Sequence, residues 1–406
     1  MQVVLLEDLK NSKFGPLTLL RPEFDLRCGA LELREKLERR RPDWNVTLCP
    51  RPALAALVSE RHPARGIDTL VDEPTLLLYG RVIADEPLLR ALQELDGDAL
   101  LTSASETVGA LLQSGAGERI EEASVAAEGV GALGLDKIVE IPARPARYPW
   151  ELVSATASEI AADAQLTAEL GEIKEELHHC ARLLGKENVA VGESSEIGPS
   201  VVLDAREGPV VIGRDVRVMA NSVVIGPAFI GDGSVVRACS TIYGGTSIGP
   251  VCKVGGEIQA SVVQSFSNKQ HGGFLGHSFV GSWVNLGAAT NNSDLKNNYG
   301  SVRVELAGET VDTGLASVGA IIGDHSKTAI GTRLNTGTVV GIFCSVFANG
   351  FPPKSVPSFS WGTSEGFVRY DLKEALATAS HVMARRGMTM TPALEKRVIE
   401  LFSAAA

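Results

Sequence analysis

The sequence predicts an α/β domain followed by a parallel β-helix of six-residue repeats and a helical tail. An aliphatic residue recurs at every sixth position through Ile212, Val218, Val224, Ile230, Val236, Ile242, Ile248 and Val254. Four places after each stands a compact residue, at Val216, Ser222, Ala228, Ser234, Ser240, Thr246 and Cys252, a rule that Ile258 is the first to break. The composition agrees: 42 glycines against 5% aromatics suit many regularly spaced turns and not an aromatic core.

The 406 residues are 44% hydrophobic and 21% charged, a globular composition with material for two cores. A net charge of −11 argues against an electrostatic nucleic-acid binder. Met1 to Lys10 meets Glu7 and Asp8 before an apolar leader can form, and no later stretch approaches the ~20 apolar residues of a membrane span. The expectation is a cytoplasmic protein without membrane contact. The six cysteines, Cys28, Cys49, Cys180, Cys239, Cys252 and Cys344, form no CxxC pair and read as buried reduced thiols rather than disulfides or zinc ligands.

Residues 1–150 lack the hexad. Val3–Leu6 and Leu76–Tyr79 read as strands, Leu31–Arg40 and Pro87–Leu95 as helices, which is an α/β pattern. Tyr148-Pro149-Trp150 punctuates the chain before Ala155–Leu184, an Ala/Glu/Leu-rich run that predicts one connecting helix within residues 151–186.

In residues 187–350 neither a period of 3.6 nor simple alternation fits, whereas a hexapeptide coil does, each hexad forming one side of a triangle. The aliphatic then points inward, while Gly213, Gly231, Gly249, Gly255 and the small residues fit the corners. The phase returns in Val280, Leu286, Leu334, Val340 and Val346, so the coil is expected from about Val189 to Phe347. An insertion from about Thr290 to Thr313, with Asn291, Asn292, Lys296, Asn297, Asn298 and Tyr299, interrupts it. Such insertions gather on one face, often the binding face, although asparagines also make ordinary solvated turns. Phe351-Pro352-Pro353 is expected to end the coil, and within residues 351–406 Leu372–Arg386 and Pro392–Phe402 read as helices covering its open end.

Lys253-Val254-Gly255-Gly256-Glu257, Ser267-Asn268-Lys269 with His271, Phe274-Leu275-Gly276 and Asn285-Leu286-Gly287-Ala288 give this half a specific likeness. It resembles the bifunctional sugar-1-phosphate nucleotidyltransferase/acetyltransferases, the type that makes UDP-N-acetylglucosamine. Pro16-Leu17-Thr18, Arg21-Pro22 and Leu33-Arg34-Glu35-Lys36 are similar to a divergent branch with a shortened nucleotidyltransferase-like N-terminal half. The resemblance implies a left-handed β-helix, a homotrimer, and acetyl transfer from acetyl-CoA to the amine of an amino-sugar-1-phosphate such as glucosamine-1-phosphate.

His271 falls on that family's general base, and the chemistry agrees, because an attacking amine must pass a proton to a neutral imidazole. Asn285 matches a substrate-side asparagine. Asp294 stands where another asparagine is expected, and its carboxylate could orient His271 or bind an ammonium. Phe274 replaces a tyrosine and Gln259 a lysine, which points to a different amino-sugar. Lys269, Lys296 and Arg303 are candidate phosphate ligands or solvated charges. Ala288, Thr332 and Ala348 lie at the phase of the CoA edge, with Lys327 for the CoA phosphates. His277 and His325 also fall in the coil, and their spacing suggests no metal site.

For the N-terminal half the resemblance implies uridylyl transfer from UTP or another NTP with Mg²⁺. The family's Gly-rich phosphate loop is replaced by Glu7-Asp8, and its Gly-Asp metal motif by Gly80-Arg81. Arg21 is the nearest match to the loop's arginine, with Asp8 and Asp85 as metal candidates. Two other readings stay open: a sugar nucleotidyltransferase whose β-helix only trimerises or regulates, and a non-catalytic scaffold.

Overall fold

The computed structural model describes all residues except 11–12, 66–72, 115–128, 175–176, 348–349 and 406. The chain forms two compact units. The first comprises Met1–Phe14, Leu20–Leu26 and Glu32–Tyr148, the second Gly15–Leu19, Arg27–Leu31 and Pro149–Ala406.

The first unit is built on a six-stranded sheet in the order Asn45–Cys49, Gln2–Leu6, Thr75–Tyr79, Glu106–Leu112, Ala99–Ser103, Ile138–Glu140. Gln2–Leu6 pairs in parallel with both its neighbours and every residue in it is buried, as expected of a central strand covered on both faces. Glu106–Leu112 runs antiparallel to the strands on either side of it, so the sheet is mixed. The helix Leu33–Arg40 starts two residues later than its apolar pattern, because Glu32 and Glu35 form a reciprocal capping box there. Asp85 caps the helix Glu86–Gln93 by accepting the Leu88 N–H at 3.1 Å.

The second unit opens with the helix Pro149–Thr167. Its Ile160 and Ala164 pack with Ala30, Val211 and Phe229, and Asp163 Oδ2 accepts the Ala30 N–H at 3.2 Å. The expected helix to residue 186 is therefore too long. Gly171 turns to φ +87°, its N–H bonds to Val189 O, and Arg182–Leu184 is recruited as a strand beside Val202–Asp204. Parallel pairing there overrides the helical preference of the Ala/Glu/Leu run.

Beyond this segment the chain winds into a parallel β-solenoid of three strand stacks, the arrangement a left-handed β-helix requires. The first stack holds nine strands among the described residues, from Val189–Val191 to Ser355–Val356. The second runs from Glu196–Ile197 through Lys253–Val254 and Asn268–Lys269, crosses the bridge residue Asn285, and continues at Lys327–Thr328. The third runs from Arg182–Leu184 to Phe274–Gly276. Ile212, Val218, Val224, Ile230, Val236, Ile242, Ile248 and Val254 all point inward, none more than 1% exposed. The inward column then moves to Ile258, because the coil from Val254 to its partner Lys269 is half a repeat shorter than the coil before it.

One corner departs from the expectation of glycine and small residues. Asp215, Val251, Phe266, Trp283, His325, Phe343 and Phe359 all take positive φ there, and the N–H of Val251, Phe266, His325, Phe343 and Phe359 bonds to a carbonyl of the preceding coil. From Phe266 onward the corner is aromatic: Phe266 and Trp283 stack at 4.3 Å, His325 and Phe343 at 4.6 Å, and Phe402 closes the row against Phe359. The stacking and the regained hydrogen bonds offset the conformational cost of a left-handed bulky residue. His325 is thereby a member of a ring stack.

The solenoid also runs past Phe351-Pro352-Pro353. These prolines lie between strands, where no ladder N–H is needed, and Ser355–Val356 rejoins the first stack beside Val339–Val340. The last coil ends in the antiparallel hairpin Ser360–Thr363 with Gly366–Arg369. The helices Leu372–Ala384 and Pro392–Ala404 come after it, and Arg386 donates to Asn268 Oδ1 at 2.9 Å, several coils from the end that these helices are expected to cover. The insertion is narrower than expected: Asn291–Asn292 remains a solenoid strand paired with Arg333–Leu334, while Leu295 and Ser317 bridge the base of a hairpin, Arg303–Leu306 with Glu309–Asp312. Cys28, Cys49, Cys252 and Cys344 are buried, but Cys180 and Cys239 are exposed, Cys239 at an outward corner with φ +59°. No helix among the described residues is long and apolar enough to cross a membrane.

The inward column makes each coil depend on its neighbours. Ile242→Ala is expected to destabilise the second unit by about 2–5 kcal/mol, read as a lower urea midpoint; a loss below about 1 kcal/mol would contradict a close-packed column.

Candidate functional site in the solenoid

The coil from Ser267 to Asp294 holds most of the residues singled out from the sequence. Lys269 is not a surface cation. It occupies the inward position that Val254 fills one coil earlier, is 2% exposed, and donates its ammonium to Gly255 O at 3.2 Å and His271 O at 2.6 Å. Burial pushes it down to about 8. Lys327, mostly buried, is likewise pushed down to about 8 by burial and donates to His325 O at 2.9 Å. Both ammonium groups are held by main-chain carbonyls.

His271 is exposed at the corner that leads into the strand Phe274–Gly276. At the other end of that strand, His277 adopts φ +46° and its Nδ1 lies 2.7 Å from Asp294 Oδ2. The expected partner of Asp294 is His271; the fold gives it His277 instead, because one coil of the solenoid brings residues 17 apart into contact. Gly276 makes room for the pair: a Cβ there would lie 2.4 Å from Asp294 Oδ2 and 2.4 Å from Phe274 Cζ. Phe274, Asp294 and His277 therefore meet over one bare glycine.

The asparagines of this region are largely architectural. Asn292 accepts the Gly276 N–H at 2.8 Å and donates to Gly276 O at 2.9 Å, and Asn291 accepts the Phe274 N–H at 2.7 Å. They serve main-chain groups that a further strand would otherwise bond. Asn285 is exposed on the second stack, bridged between Asn268 and Lys327. Ala288 O accepts the Gly331 N–H at 2.7 Å, and buried Thr332 donates to Ala329 O at 3.0 Å, so both serve corners. Lys296 donates to Ser301 O within its own loop, Arg303 lies 3.8 Å from Asp312, and Ala348 falls outside the described residues.

His277 lines a cavity of about 520 Å³. Glu207, Gly226, Gly244, Gly245, Ala260 and Ser317 also line it, as do residues of the helix Pro149–Thr167. Spacing along the sequence leaves His277 an isolated histidine. The available signal is Asp294, a carboxylate in place of an asparagine, standing one coil away.

In the first unit the two metal candidates are already engaged. Asp8 is 1% exposed, and its Oδ2 takes Arg81 Nη2 at 2.6 Å and Nε at 2.9 Å. Arg81, 0% exposed, also pairs with Glu106, which pairs with Arg147. Asp85 is spent on its helix cap and lies 3.5 Å from Arg144. These carboxylates do not fit Mg²⁺, since a guanidinium stands where the cation would be neutralised. Glu7 is pushed up by burial and opposed by Arg51, with which it pairs. Arg21 is buried.

Residues 3–170 match the family model for sugar nucleotidyl transferase, and residues 209–244 match that for the bacterial transferase hexapeptide, six repeats. Among similar curated proteins, the bifunctional protein GlmU of Synechococcus sp. (strain CC9311) is 27% identical over 172 residues, 42% of this chain and 33% of that protein. The bifunctional sugar-1-phosphate nucleotidylyltransferase/acetyltransferase of Sulfurisphaera tokodaii is 29% identical over 91 residues, 22% of this chain and 23% of that protein. Each match thus spans no more than about a third of the relative's length. The crystal structure of a UDP-N-acetylglucosamine acyltransferase from Francisella novicida overlaps 56% of this chain and 77% of its own, at 17% identity and a TM-score of 0.29, too slight an overlap to argue from.

Two measurements check this geometry. Arg81→Ala leaves buried Asp8 without its cation and is expected to cost about 3–5 kcal/mol, seen as a lower thermal midpoint; an unchanged midpoint would contradict the buried pairing. Lys269 titrates at about 8 when folded against its usual 10.5, so between those values the folded form binds fewer protons and stability rises with pH. Relative to Lys269→Met, the wild type should gain in urea midpoint from pH 8 to 10; a constant difference would contradict the depressed ammonium.

Proposed function

We propose that the solenoid is an acyltransferase of nucleotide-sugar biosynthesis, moving acetyl from acetyl-CoA to the amine of an amino-sugar-1-phosphate such as glucosamine-1-phosphate. The observation that carries this reading is the coil from Ser267 to Asp294, which sets an imidazole at each end of one short strand, His271 and His277. The hexapeptide match and the transferase relatives support it.

The chemistry asks for little more than placement. Holding amine and thioester together converts a bimolecular step into a nearly unimolecular one. An imidazole receives the proton that the nitrogen loses, and a main-chain N–H of the coil serves the oxyanion. His271 is the base by resemblance, with exposed Asn285 oriented toward substrate on the neighbouring stack. Phe274 offers an aromatic wall in place of a phenol. Lys269, Lys327 and Lys296 are each engaged with main-chain carbonyls, so exposed Arg303 on the insertion is the remaining candidate cation for the sugar phosphate. The working form is a homotrimer in which flat solenoid faces pack together.

The first unit carries the nucleotidyltransferase match, and uridylyl transfer to the sugar-1-phosphate is its proposed reaction. With Asp8 bound to Arg81 and Asp85 capping a helix, no step of that reaction runs through Mg²⁺ on those residues.

Purified protein given acetyl-CoA and glucosamine-1-phosphate is expected to release free thiol only when both are present, and to sediment at three times the chain mass. Pyrophosphate release from UTP and a sugar-1-phosphate without any thiol release would favour a solenoid that only assembles the protein.

A further inference from the structure

We propose that Arg237, Lys253, Asn268 and Arg386 form a seat for the phosphate of the acceptor, on the coils that lead up to His271. The inference rests on the acyl-transfer reading above, with His271 as its base, and adds to Arg303 cations that the resemblance does not put forward. It also gives the helical tail a part in the site, since Arg386 stands in the turn after the helix Leu372–Ala384. Three observations converge on it.

The first is placement. Lys253 and Asn268 are register partners on the second stack, and Asn268 is bridged in turn to Asn285. Arg386 Nη2 donates to Asn268 Oδ1 at 2.9 Å, which leaves the NH₂ of that amide as a further donor. The Arg237 N–H bonds to Val254 O at 2.8 Å, so Arg237 sits at the corner one coil before Gly255 and Gly256. Those two glycines leave the corner bare: a Cβ on Gly255 would lie 3.0 Å from Arg237 Cβ, and one on Gly256 would lie 2.9 Å from His271 O. Arg237, the glycine pair and His271 therefore follow one another on successive coils.

The second is charge. On earlier coils each of three outward arginines has its own carboxylate: Arg206 pairs with Asp204, Arg214 with Asp232 and Arg217 with Glu196. Among the described residues no carboxylate pairs with Arg237, Lys253, Arg385 or Arg386. Arg386 above all, then burial, then Arg237 and Arg385, hold the Lys253 ammonium below its ordinary value. In a chain of net charge −11, these cations are gathered against their own repulsion, which a bound anion relieves.

The third is reach. Strands of one stack lie about 5 Å apart, so the seat begins a single strand from the coil of His271. In glucosamine-1-phosphate the amine and the phosphate stand on adjacent ring carbons, and a nitrogen at His271 puts its phosphate at that range. The phosphates of coenzyme A lie a whole pantetheine arm from the thioester, which carries them beyond the seat. A phosphomonoester dianion also matches a guanidinium fork beside an ammonium. No bond forms or breaks here. The seat holds ground state and transition state alike, so it acts on KM and leaves kcat to His271 and placement.

The test measures thiol release from acetyl-CoA with glucosamine-1-phosphate and with glucosamine, for wild type, Arg386→Gln, Lys253→Gln and Lys373→Gln. Lys373, exposed on the helix Leu372–Ala384, controls for the loss of a charge. Binding of glucosamine-1-phosphate without acetyl-CoA is read by calorimetry. Arg386→Gln and Lys253→Gln are expected to raise both KM and Kd for glucosamine-1-phosphate about tenfold or more. They should keep kcat and the KM for acetyl-CoA within about twofold, with the rate on glucosamine unchanged and Lys373→Gln like wild type. A raised KM for acetyl-CoA with that for glucosamine-1-phosphate unchanged would overturn the inference, as would equal losses on glucosamine and its phosphate. Absence of thiol release from wild type with every amine would overturn the acyl-transfer reading, and calorimetry then decides the seat alone. Binding weakened tenfold in the variants upholds it as a phosphate site; equal binding, or none to wild type, overturns it.

Discussion

Everything in the second unit depends on one constraint: each coil must present an apolar side chain inward at the same register as the coil beneath it. In a parallel stack the main-chain hydrogen bonds are uniform and say little about register, so the side chains must set it. The column from Ile212 to Val254 does so without interruption. It also explains why the corners can carry residues that ordinarily avoid positive φ. Once the strands are fixed, the turn between them is fixed too, and Val251 or Phe343 adopts it because its N–H meets a carbonyl of the coil below.

The candidate site lies where the column falters. After Val254 the coil shortens, and a lysine takes the next inward place. Its ammonium ties together two carbonyls, one of them His271 O. Directly afterwards the main-chain ladder of the third stack breaks: in the next strand, Asn291–Asn292, side chains take over the main-chain groups of Phe274 and Gly276. A regular solenoid would have carried the main-chain ladder straight on. Instead it leaves a bare glycine with a carboxylate, an imidazole and an aromatic ring around it.

The regular part is legible in the sequence and the irregular part much less so. The hexad announces the core column, and the glycine count announces the turns. The half-repeat slip makes Lys269 read as one more polar residue near His271, when it is a core residue. The pairing of His277 with Asp294 is hidden for a simpler reason, since spacing along a chain gives coil contacts only after the coil length is known. The Ala/Glu/Leu run after Thr167 misleads because intrinsic preference yields to a strand partner. In the first unit, Gly80-Arg81 is visible as a departure from a metal motif, but the sequence does not say that Arg81 turns to Asp8 and Glu106 and occupies their charge.

The proposed function stands or falls on acyl transfer at the coil between Ser267 and Asp294. The most direct measurement is a crystal structure of the protein with coenzyme A and a non-reactive analogue of the amine acceptor. The expected result is an acceptor nitrogen within hydrogen-bond reach of the His271 imidazole, roughly 2.6–3.2 Å, with the thiol beside the strand Phe274–Gly276. A nitrogen seated away from His271, or coenzyme A bound away from this coil, would contradict it.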